Sequence, residues 1–285
     1  MEPKNTAVIG AGTIGLGLAV DLAAHGYTVQ VVDSSPTVIE QAPERVTRDL
    51  MMFRMLAPDY KDVDSDSIQS RLSFSTDLES VAAADFVIEN ITEDIDLKEG
   101  IFDRLAQICR PGAFFATNTS CISVTRLGAR LQDPSRMMGM HFMNPVPVKK
   151  FVEIIRSELS SDQTVEDAKA LARSLDKEFV VVNDLPGFVS NRVMMLTVNE
   201  CAFVVQDGVA TAAQVDKVFR LSFGHPMGPL AMADLIGLDT ILKSIEVLYQ
   251  EYSDSKYRPC PLLRKMVHAG YLGRKSGRGF FPYNA

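Results

Sequence analysis

The chain has 285 residues, of which 46% are apolar and 23% are charged, an ordinary composition for a globular protein. Its net charge of −7, with lysine and arginine spread along the chain, gives no reason to expect binding to nucleic acid or to an anionic membrane. The four cysteines are too scattered for a zinc framework, so no metal site is expected. No segment has the pattern of a secretory signal, and no apolar run reaches the roughly 18 residues of a membrane span. We therefore expect a cytoplasmic protein with reduced thiols.

The first predicted element is a buried strand at residues 6–9, and the sequence GAGTIG follows it at positions 10–15. A helical pattern begins directly afterwards. Glycines at this spacing allow a tight turn, a close approach of the backbone to a pyrophosphate, and close packing of the helix on the strand. The alternative is a structural glycine turn that binds nothing. In this context the sequence predicts a dinucleotide site whose loop residues are Gly10, Gly12, Thr13, Ile14 and Gly15.

The second predicted strand, residues 27–32, ends at Asp33. A carboxylate at this position accepts hydrogen bonds from the hydroxyl groups of the adenine ribose and repels a 2′-phosphate. Ser34 and Ser35 follow it and provide no arginine that would neutralise such a phosphate. The pattern therefore favours NAD over NADP as the cofactor.

A helix is predicted at residues 37–56, where apolar residues recur at helical spacing. We expect Met51, Met52 and Met55 to belong to the face of this helix that packs on the core. The acidic segment that follows, residues 57–66, is interrupted by a proline and predicts a loop.

Parallel topology resumes with strands predicted at 85–89 and 113–116 and with a helix at 97–109 between them. Ligands of such sheets lie beyond the carboxyl ends of the strands. Polar residues that follow these strands are therefore expected on the same rim as the glycine loop. The alternative role for them is helix capping and turn formation. The residues concerned are Glu93, Asn118 and Ser120.

The segment 136–156 places one histidine and one glutamate on either side of a proline-rich connection. A short buried strand at 137–140 ends at His141, and the fixed φ of the following prolines forces the chain to turn. A second strand at 151–155 then returns and brings Glu153 back beside His141. A carboxylate against an imidazole is a general base with its orienting partner. The alternative is a strand-end histidine bound to an arbitrary acceptor, with Glu153 in solvent.

A helix at 163–175 and a strand at 179–182 complete the alternating pattern, and Pro186 and Gly187 then interrupt it. The remainder of the chain is almost entirely helical. The sequence therefore predicts an α/β fold with an N-terminal, Rossmann-type, doubly wound domain at residues 1–184 and an all-helical domain at 185–285. The first long helix of that second domain is too apolar for a solvent face, which predicts a homodimer.

With these motifs in place, the chain resembles the 3-hydroxyacyl-CoA dehydrogenase family, and especially its short bacterial 3-hydroxybutyryl-CoA dehydrogenases. The resemblance covers nearly the whole length and rests on eight motifs in order. Besides Asp33, they are GAGTIG at 10–15, TNTS at 117–120, HFMNPVPV at 141–148, FVEII at 151–155, DLPGFVSNR at 184–192, GHPMGPL at 224–230 and GRKSGRGFF at 273–281.

The resemblance implies the NAD-dependent oxidation of a 3-hydroxyacyl thioester to a 3-ketoacyl thioester. It makes His141 the catalytic base and Glu153 its partner. It further implies that Ser120, Asn144 and Asn191 line the substrate and nicotinamide site. The cofactor contacts of the family fall on Gly10, Gly12, Gly15, Asp33, Glu93, Lys98 and Lys275.

The chain departs from the family in the helix that follows Asp33. Where the resemblance predicts a serine and a lysine that bind coenzyme A, this sequence has Asp49 and Leu56. Three arginines nearby are candidate contacts for the carrier of the acyl group, namely Arg45, Arg48 and Arg54. The carrier is therefore coenzyme A or, as an alternative, an acyl carrier protein that docks on these arginines.

Two further readings stay open at this point. Relatives within the superfamily oxidise free hydroxy acids such as L-gulonate or carnitine, but no additional charged motif in this sequence indicates a site for a free carboxylate or ammonium group. A crystallin-like protein would bind NAD without catalysis. The polar rim argues against it, because a purely structural protein has no need for such a set of residues.

Overall fold

The computed structural model describes residues 5–283. The chain divides into two compact units between Asp184 and Leu185. Among the described residues, no helix is long and apolar enough to cross a membrane. Within the same residues, no three His, Cys, Asp or Glu side chains form a group that would hold a metal ion.

The first unit contains an eight-stranded sheet in which every neighbouring pair is parallel except β6 and β7. Its strand order is β3-β2-β1-β4-β5-β6-β7-β8. This arrangement and the helical second unit confirm the predicted fold class. The strands are β1 Asn5–Ile9, β2 Thr28–Val32, β3 Leu72–Ser75, β4 Phe86–Glu89, β5 Phe114–Thr117, β6 Met137–Phe142, β7 Phe151–Arg156 and β8 Glu178–Asn183.

Helices of the first unit connect these strands, and short 3₁₀ turns lie at Pro58–Tyr60, Leu78–Val81 and Pro134–Arg136. The apolar core forms where strand and helix side chains meet, and burial of this surface stabilises the unit. The helices are α1 Thr13–Ala24, α2 Pro36–Leu56, α3 Ser65–Arg71, α4 Ile95–Ile108, α5 Val124–Gly128 and α6 Asp162–Ser174.

The second unit is helical and has its own apolar core, to which α7 and α10 contribute most of the side chains. Short 3₁₀ turns lie at Ser255–Tyr257 and Arg274–Ser276. The helices are α7 Ser190–Gln206, α8 Ala212–Ser222, α9 Pro229–Ile236, α10 Leu238–Tyr252 and α11 Pro261–His268.

Two buried aspartates hold backbone segments of the second unit in place. The two carboxylate oxygens of Asp216 accept the N–H groups of Leu230 and Ala231, which satisfies the first turn of α9. Asp234 likewise accepts the N–H groups of Phe280 and Phe281. Burial raises the pKa of Asp234, against the effect of these hydrogen bonds. The aspartates thus fix the segments that carry the motifs at 224–230 and 273–281.

The expected packing role of the methionines in α2 is wrong. The buried face of this helix consists of Ala42, Val46, Leu50 and Phe53. Successive residues of an α-helix are about 100° apart, so the methionines lie on other sides of the helix. Met51, Met52 and Met55 are 57%, 37% and 80% exposed.

The predicted loop at 57–66 is only partly correct. A 3₁₀ turn lies at Pro58–Tyr60, and α3 begins at Ser65 with Asp64 as its N-cap. The seven residues of α3 bury only Ile68, and the four-residue strand β3 has no fully buried residue. Elements this short lack the repeated apolar pattern on which sequence-based prediction depends.

Candidate active site

The glycine loop joins β1 to α1, and its glycines have different structural roles. Gly10 has φ +100°, and a Cβ atom there would lie 2.7 Å from the carbonyl oxygen of Asn90. A Cβ atom at Gly15 would lie 1.9 Å from the carbonyl oxygen of Gly10. Gly12 differs, because no heavy atom lies within 4 Å of the position its Cβ would occupy. The close packing of the loop therefore favours glycine at positions 10 and 15, whereas Gly12 leaves open space above the loop.

That open space belongs to a cleft of about 720 Å³. Gly12, Thr13 and Ile14 line it at the N-terminus of α1, where no side chain caps the helix, and Asp33 lines it at the end of β2. A helix N-terminus favours a phosphate, so the residues present fit a dinucleotide. Asp33 is itself fixed, because its carboxylate accepts the N–H groups of Ala11 and Ser35, each at 2.9 Å.

His141 and Glu153 lie directly opposite each other on the antiparallel strands β6 and β7. The distance from His141 Nδ1 to Glu153 Oε2 is 3.0 Å. His141 is 7% exposed and Glu153 is 1% exposed, so water competes little for this hydrogen bond. The expected approach of the two side chains is confirmed. A carboxylate accepts, so the neutral imidazole carries its proton on Nδ1 and leaves Nε2 able to accept one.

Ser120 contacts the other side of the same ring, with its Oγ 3.2 Å from His141 Nε2. The loop that carries Ser120 is held by Glu93. Its Oε1 atom accepts the N–H of Ser120 at 2.8 Å and the hydroxyl of Thr119 at 2.6 Å. Glu93 thus positions the serine, and this contact lies within the first unit.

Lys98 has no exposed side-chain surface, and its Nζ lies 2.7 and 2.8 Å from the two carboxylate oxygens of Glu89. The ammonium group also donates to the carbonyl of Asn118 at 3.2 Å. Burial raises the pKa of Glu89, while the bonds from Lys98 and Thr117 oppose that rise. Lys98 therefore holds the Glu89 carboxylate and the Asn118 carbonyl in place. The predicted contact of this lysine with the cofactor stays a prediction.

The remaining predicted residues are distributed over both units. Asn118 donates to the side chain of Asn90 at 3.0 Å and accepts the N–H of Phe142 at 3.1 Å, which ties β4, β5 and β6 together. Asn144 is exposed after β6. Two belong to the second unit, Asn191 in the first turn of α7 and Lys275 in an ion pair with Asp239 at 2.7 Å.

Comparison with known proteins identifies the family. The model of the 3-hydroxyacyl-CoA dehydrogenase NAD-binding domain matches residues 5–185, and the model of the C-terminal domain of 3-hydroxyacyl-CoA dehydrogenase matches residues 187–283. The chain belongs to the 3-hydroxyacyl-CoA dehydrogenase family. It is an NAD-dependent oxidoreductase that acts on a CH–OH group.

Individual relatives match over nearly the full length. A probable 3-hydroxybutyryl-CoA dehydrogenase of Bacillus subtilis is 46% identical over 99% of this chain and 98% of the relative. Another, from Deinococcus radiodurans, is 43% identical over 97% of this chain and 99% of the relative. The crystal structure of (S)-3-hydroxybutyryl-CoA dehydrogenase from Ralstonia eutropha has a TM-score of 0.93 at 40% identity and covers 100% of both chains.

Two of the three candidate arginines bind the backbone of their own unit. Arg45 donates to the carbonyl of Ala11 in the glycine loop at 3.1 Å, and Arg54 donates to the carbonyl of Val63 at 2.6 Å. The side chain of Arg48 is 71% exposed and lies 3.9 Å from Asp49. Arg48 is thus the arginine best placed to contact a ligand from solvent.

Sequence reasoning did not single out Glu89, although this residue supports the site. The fully buried strand β4 ends in this carboxylate, which also accepts the hydroxyl of Thr117 at 2.6 Å. A charge in an otherwise apolar strand requires a buried partner. The glutamate at the end of this apolar strand could therefore have indicated a buried ion pair from the sequence. Its partner Lys98 lies in the helix predicted at 97–109 and was predicted as a cofactor contact, so the pairing itself is seen only in the structure.

Proposed function

We propose that this chain oxidises a 3-hydroxyacyl thioester to the 3-ketoacyl thioester, with His141 as general base and Glu153 as its partner. The observation that carries the proposal is the position of the imidazole between Glu153 at 3.0 Å and Ser120 at 3.2 Å. This arrangement fixes the tautomer and directs Nε2 away from the carboxylate.

NAD, when bound, accepts the hydride that leaves C3 of the substrate. His141 Nε2 takes the proton of the substrate hydroxyl, because Nδ1 already donates its proton to Glu153. The Glu153 carboxylate stabilises the imidazolium that forms. The Ser120 hydroxyl donates a hydrogen bond to the developing alkoxide or to the thioester carbonyl. In the reverse direction the imidazolium returns the proton to the same oxygen.

The amides of Asn144 and Asn191 are proposed as further donors to the substrate. Their role rests on the resemblance of the motifs at 141–148 and 184–192 to those of the family. In the same way, Lys275 is proposed as a cofactor contact. Arg45, which binds the Ala11 carbonyl, is proposed to brace the glycine loop.

We propose coenzyme A as the carrier, in line with the names of the relatives. An acyl carrier protein is a second candidate, and one observation favours it: α2 exposes Met51, Met55 and Leu56 close in sequence to the exposed cation of Arg48. An apolar patch with an adjacent cation suits a protein surface that is apolar and acidic.

We also propose that two copies of the chain associate through the second unit. Its helices α7 and α8 form an apolar groove of about 550 Å³, lined by Leu196, Val204, Val218 and Phe219 among others. Apolar surface of this kind favours burial against a like surface, and a symmetric dimer provides one.

The deciding experiment compares NAD reduction with 3-hydroxybutyryl-CoA, with the same acyl group on an acyl carrier protein, and with L-gulonate, all at matched concentration. Efficient turnover of the CoA ester supports the first proposal. Turnover on the carrier protein alone supports the second candidate and makes α2 a docking surface. Turnover of L-gulonate with neither thioester would overturn the proposed reaction.

The role of His141 is tested by His141→Ala, with His268→Ala in α11 as a matched control because His268 is exposed. Loss of the base is expected to lower turnover by about 10²-fold to 10⁴-fold while NAD still binds. The control is expected to retain full activity. Near-normal turnover in His141→Ala would end the assignment.

A further inference from the structure

The second unit contains a cavity of about 600 Å³ between one face of α8, the loop at 224–228 and the segment that follows Gly273. These last two segments carry the motifs GHPMGPL and GRKSGRGFF. The proposed chemistry, which depends on His141, Glu153 and Ser120, uses neither segment apart from Lys275. The proposed reaction therefore leaves the ligand of this cavity unassigned.

Three cations line this cavity. Lys217 and Arg220 lie three positions apart on α8 and thus on one side of the helix, while Arg274 comes from a 3₁₀ turn. Within residues 5–283, no carboxylate forms an ion pair with any of the three. Asp216 also lines the cavity, but its two oxygens accept backbone N–H groups of the first turn of α9, each at 2.9 Å. In a chain of net charge −7, such a group of cations attracts an anion.

The walls of the cavity are fixed before any ligand binds. A Cβ atom at Gly228 would lie 2.1 Å from the Asp216 carboxyl carbon, so this glycine permits the loop to approach α8. On the other side, Asp234 holds the N–H groups of Phe280 and Phe281 and accepts the hydroxyl of Tyr283 at 3.0 Å. A preformed site loses less conformational entropy on binding than a mobile surface does.

The cavity also offers flat surfaces beside its cations. Phe281 and Tyr283 line it, and the guanidinium carbon of Arg274 lies 5.4 Å from the centre of the Tyr283 ring. Aromatic rings and guanidinium planes stack on nucleobases, and guanidinium and ammonium groups bind phosphate. The volume lies within the range of small-molecule sites.

We propose that Lys217, Arg220 and Arg274 bind the phosphate groups of a nucleoside phosphate in this cavity, with the base against Phe281 and Tyr283. This ligand chemistry has two sources, a free nucleotide or the nucleotide end of coenzyme A. The site lies in the second unit, and its residues are separate from the dinucleotide cleft lined by Gly12 and Asp33.

The test is calorimetric titration of the full-length protein, saturated with NAD so that the dinucleotide cleft is filled, with ADP, inorganic pyrophosphate or coenzyme A. We expect saturable ADP binding with one site per chain, weakened by added salt. Lys217→Gln/Arg220→Gln is expected to raise the dissociation constant about tenfold for each cation removed. Lys265→Gln, an exposed lysine of α11 outside the cavity, is the matched control and is expected to bind as the wild type does.

The outcomes separate the two sources. If the double variant raises KM for 3-hydroxybutyryl-CoA in parallel with its dissociation constant for coenzyme A, the site holds the carrier of the acyl group. If turnover is unchanged and ADP binding is lost, the site serves a free nucleotide. Absence of ADP binding to the NAD-saturated protein, or equal ADP binding by the wild type and a double variant with an unchanged melting temperature, overturns the proposal. This result is independent of whether His141 is the catalytic base.

Discussion

At the scale of single residues, the position of Glu153 explains how one histidine is prepared for proton transfer. The adjacent antiparallel strands β6 and β7 set the register, so the carboxylate and the imidazole meet without any loop rearrangement. Their burial keeps water from competing for the hydrogen bond. The carboxylate thus performs two tasks, because it fixes the tautomer of the free enzyme and stabilises the charge that forms during the reaction.

Glu153→Gln separates these two tasks. Glutamine retains the shape and an acceptor oxygen, so the ring orientation is kept while the negative charge is lost. We expect the turnover number to fall on the order of 10²-fold to 10⁴-fold with little change in the dissociation constant for NAD. Steady-state kinetics and NAD titration measure both quantities. Glu178→Gln, an exposed position on β8, is the control, and equal kinetics for the two variants would contradict the proposed role.

At the scale of elements, the turn from β1 into α1 contains three glycines. Two of them are needed for close packing of the backbone, and one is needed for a ligand. Gly10 and Gly15 are in contact distance of neighbouring backbone, whereas Gly12 faces the open cleft with φ −72°. That φ is accessible to any L-residue, so only a ligand gives a reason for glycine at position 12.

Gly12→Ala and Gly15→Ala are therefore expected to behave differently. Gly12→Ala should melt like the wild type without cofactor but bind NAD about tenfold or more weakly, because its methyl group occupies the path of the pyrophosphate. Gly15→Ala should lose roughly 1–3 kcal/mol of stability, because the backbone must shift. Thermal melts and NAD titration of both variants provide the check, and unaltered NAD affinity in Gly12→Ala would exclude this placement of the cofactor.

A buried ionic cluster joins α1 to the connection between β6 and β7. Asp21 in α1 contacts Lys177 at 2.8 Å, and Lys177 also donates to the carbonyls of Val146 and Lys149. Burial alone would raise the pKa of Asp21, but bonds from His25, Lys177 and Tyr60 outweigh it and leave the pKa lowered. The bond to Asp21 raises the pKa of His25, although burial opposes the rise.

The signs of these shifts predict how stability depends on pH. The lowered pKa of Asp21 contributes stability above its unfolded value of ~3.9, and this is lost as the pH falls through the folded value. The raised pKa of His25 contributes stability below ~6.5 that is lost as the pH rises through the folded value. Asp21→Asn should abolish the first dependence and cost about 3–5 kcal/mol, because Lys177 stays buried without its partner. It should weaken the second, to which Asp176, 3.4 Å from His25 Nε2, also contributes. Denaturant unfolding across pH tests this, with Glu40→Gln, an exposed carboxylate of α2, as the control. A wild-type pH profile in Asp21→Asn would contradict the prediction.

The sequence predicted elements with a repeated apolar pattern. It also predicted motifs whose residues lie close together in the chain. The buried strands, the glycine loop and the return of Glu153 beside His141 follow from apolar runs, glycine spacing and prolines. The short α3 and β3 did not follow, since they bury too few side chains to leave a pattern. The ion pair of Glu89 with Lys98 could not be predicted from the sequence either, because pairing across elements depends on distances that only the folded chain defines.

The second unit exposes a group of large apolar side chains on its surface. They recur in α7, α8, α9 and α10 and in the segments that adjoin them. Large contiguous apolar patches are uncommon on a monomer and mark sites of association. The larger ones are Leu185, Val189, Val193, Val209, Val218, Leu221, Phe223, Leu235, Ile236 and Tyr249.

The proposed homodimer is tested at the groove between α7 and α8. Val218 is exposed and lines this groove, so Val218→Lys places a charge where two copies would bury apolar surface. We expect the wild type to sediment as a dimer and Val218→Lys to shift toward the monomer at the same concentration, with an intact melting transition. Leu159→Lys, an exposed apolar position of the first unit, is the control and should stay dimeric. A monomeric wild type, or a Val218→Lys variant as dimeric as the control, would show that the groove does not hold a second copy.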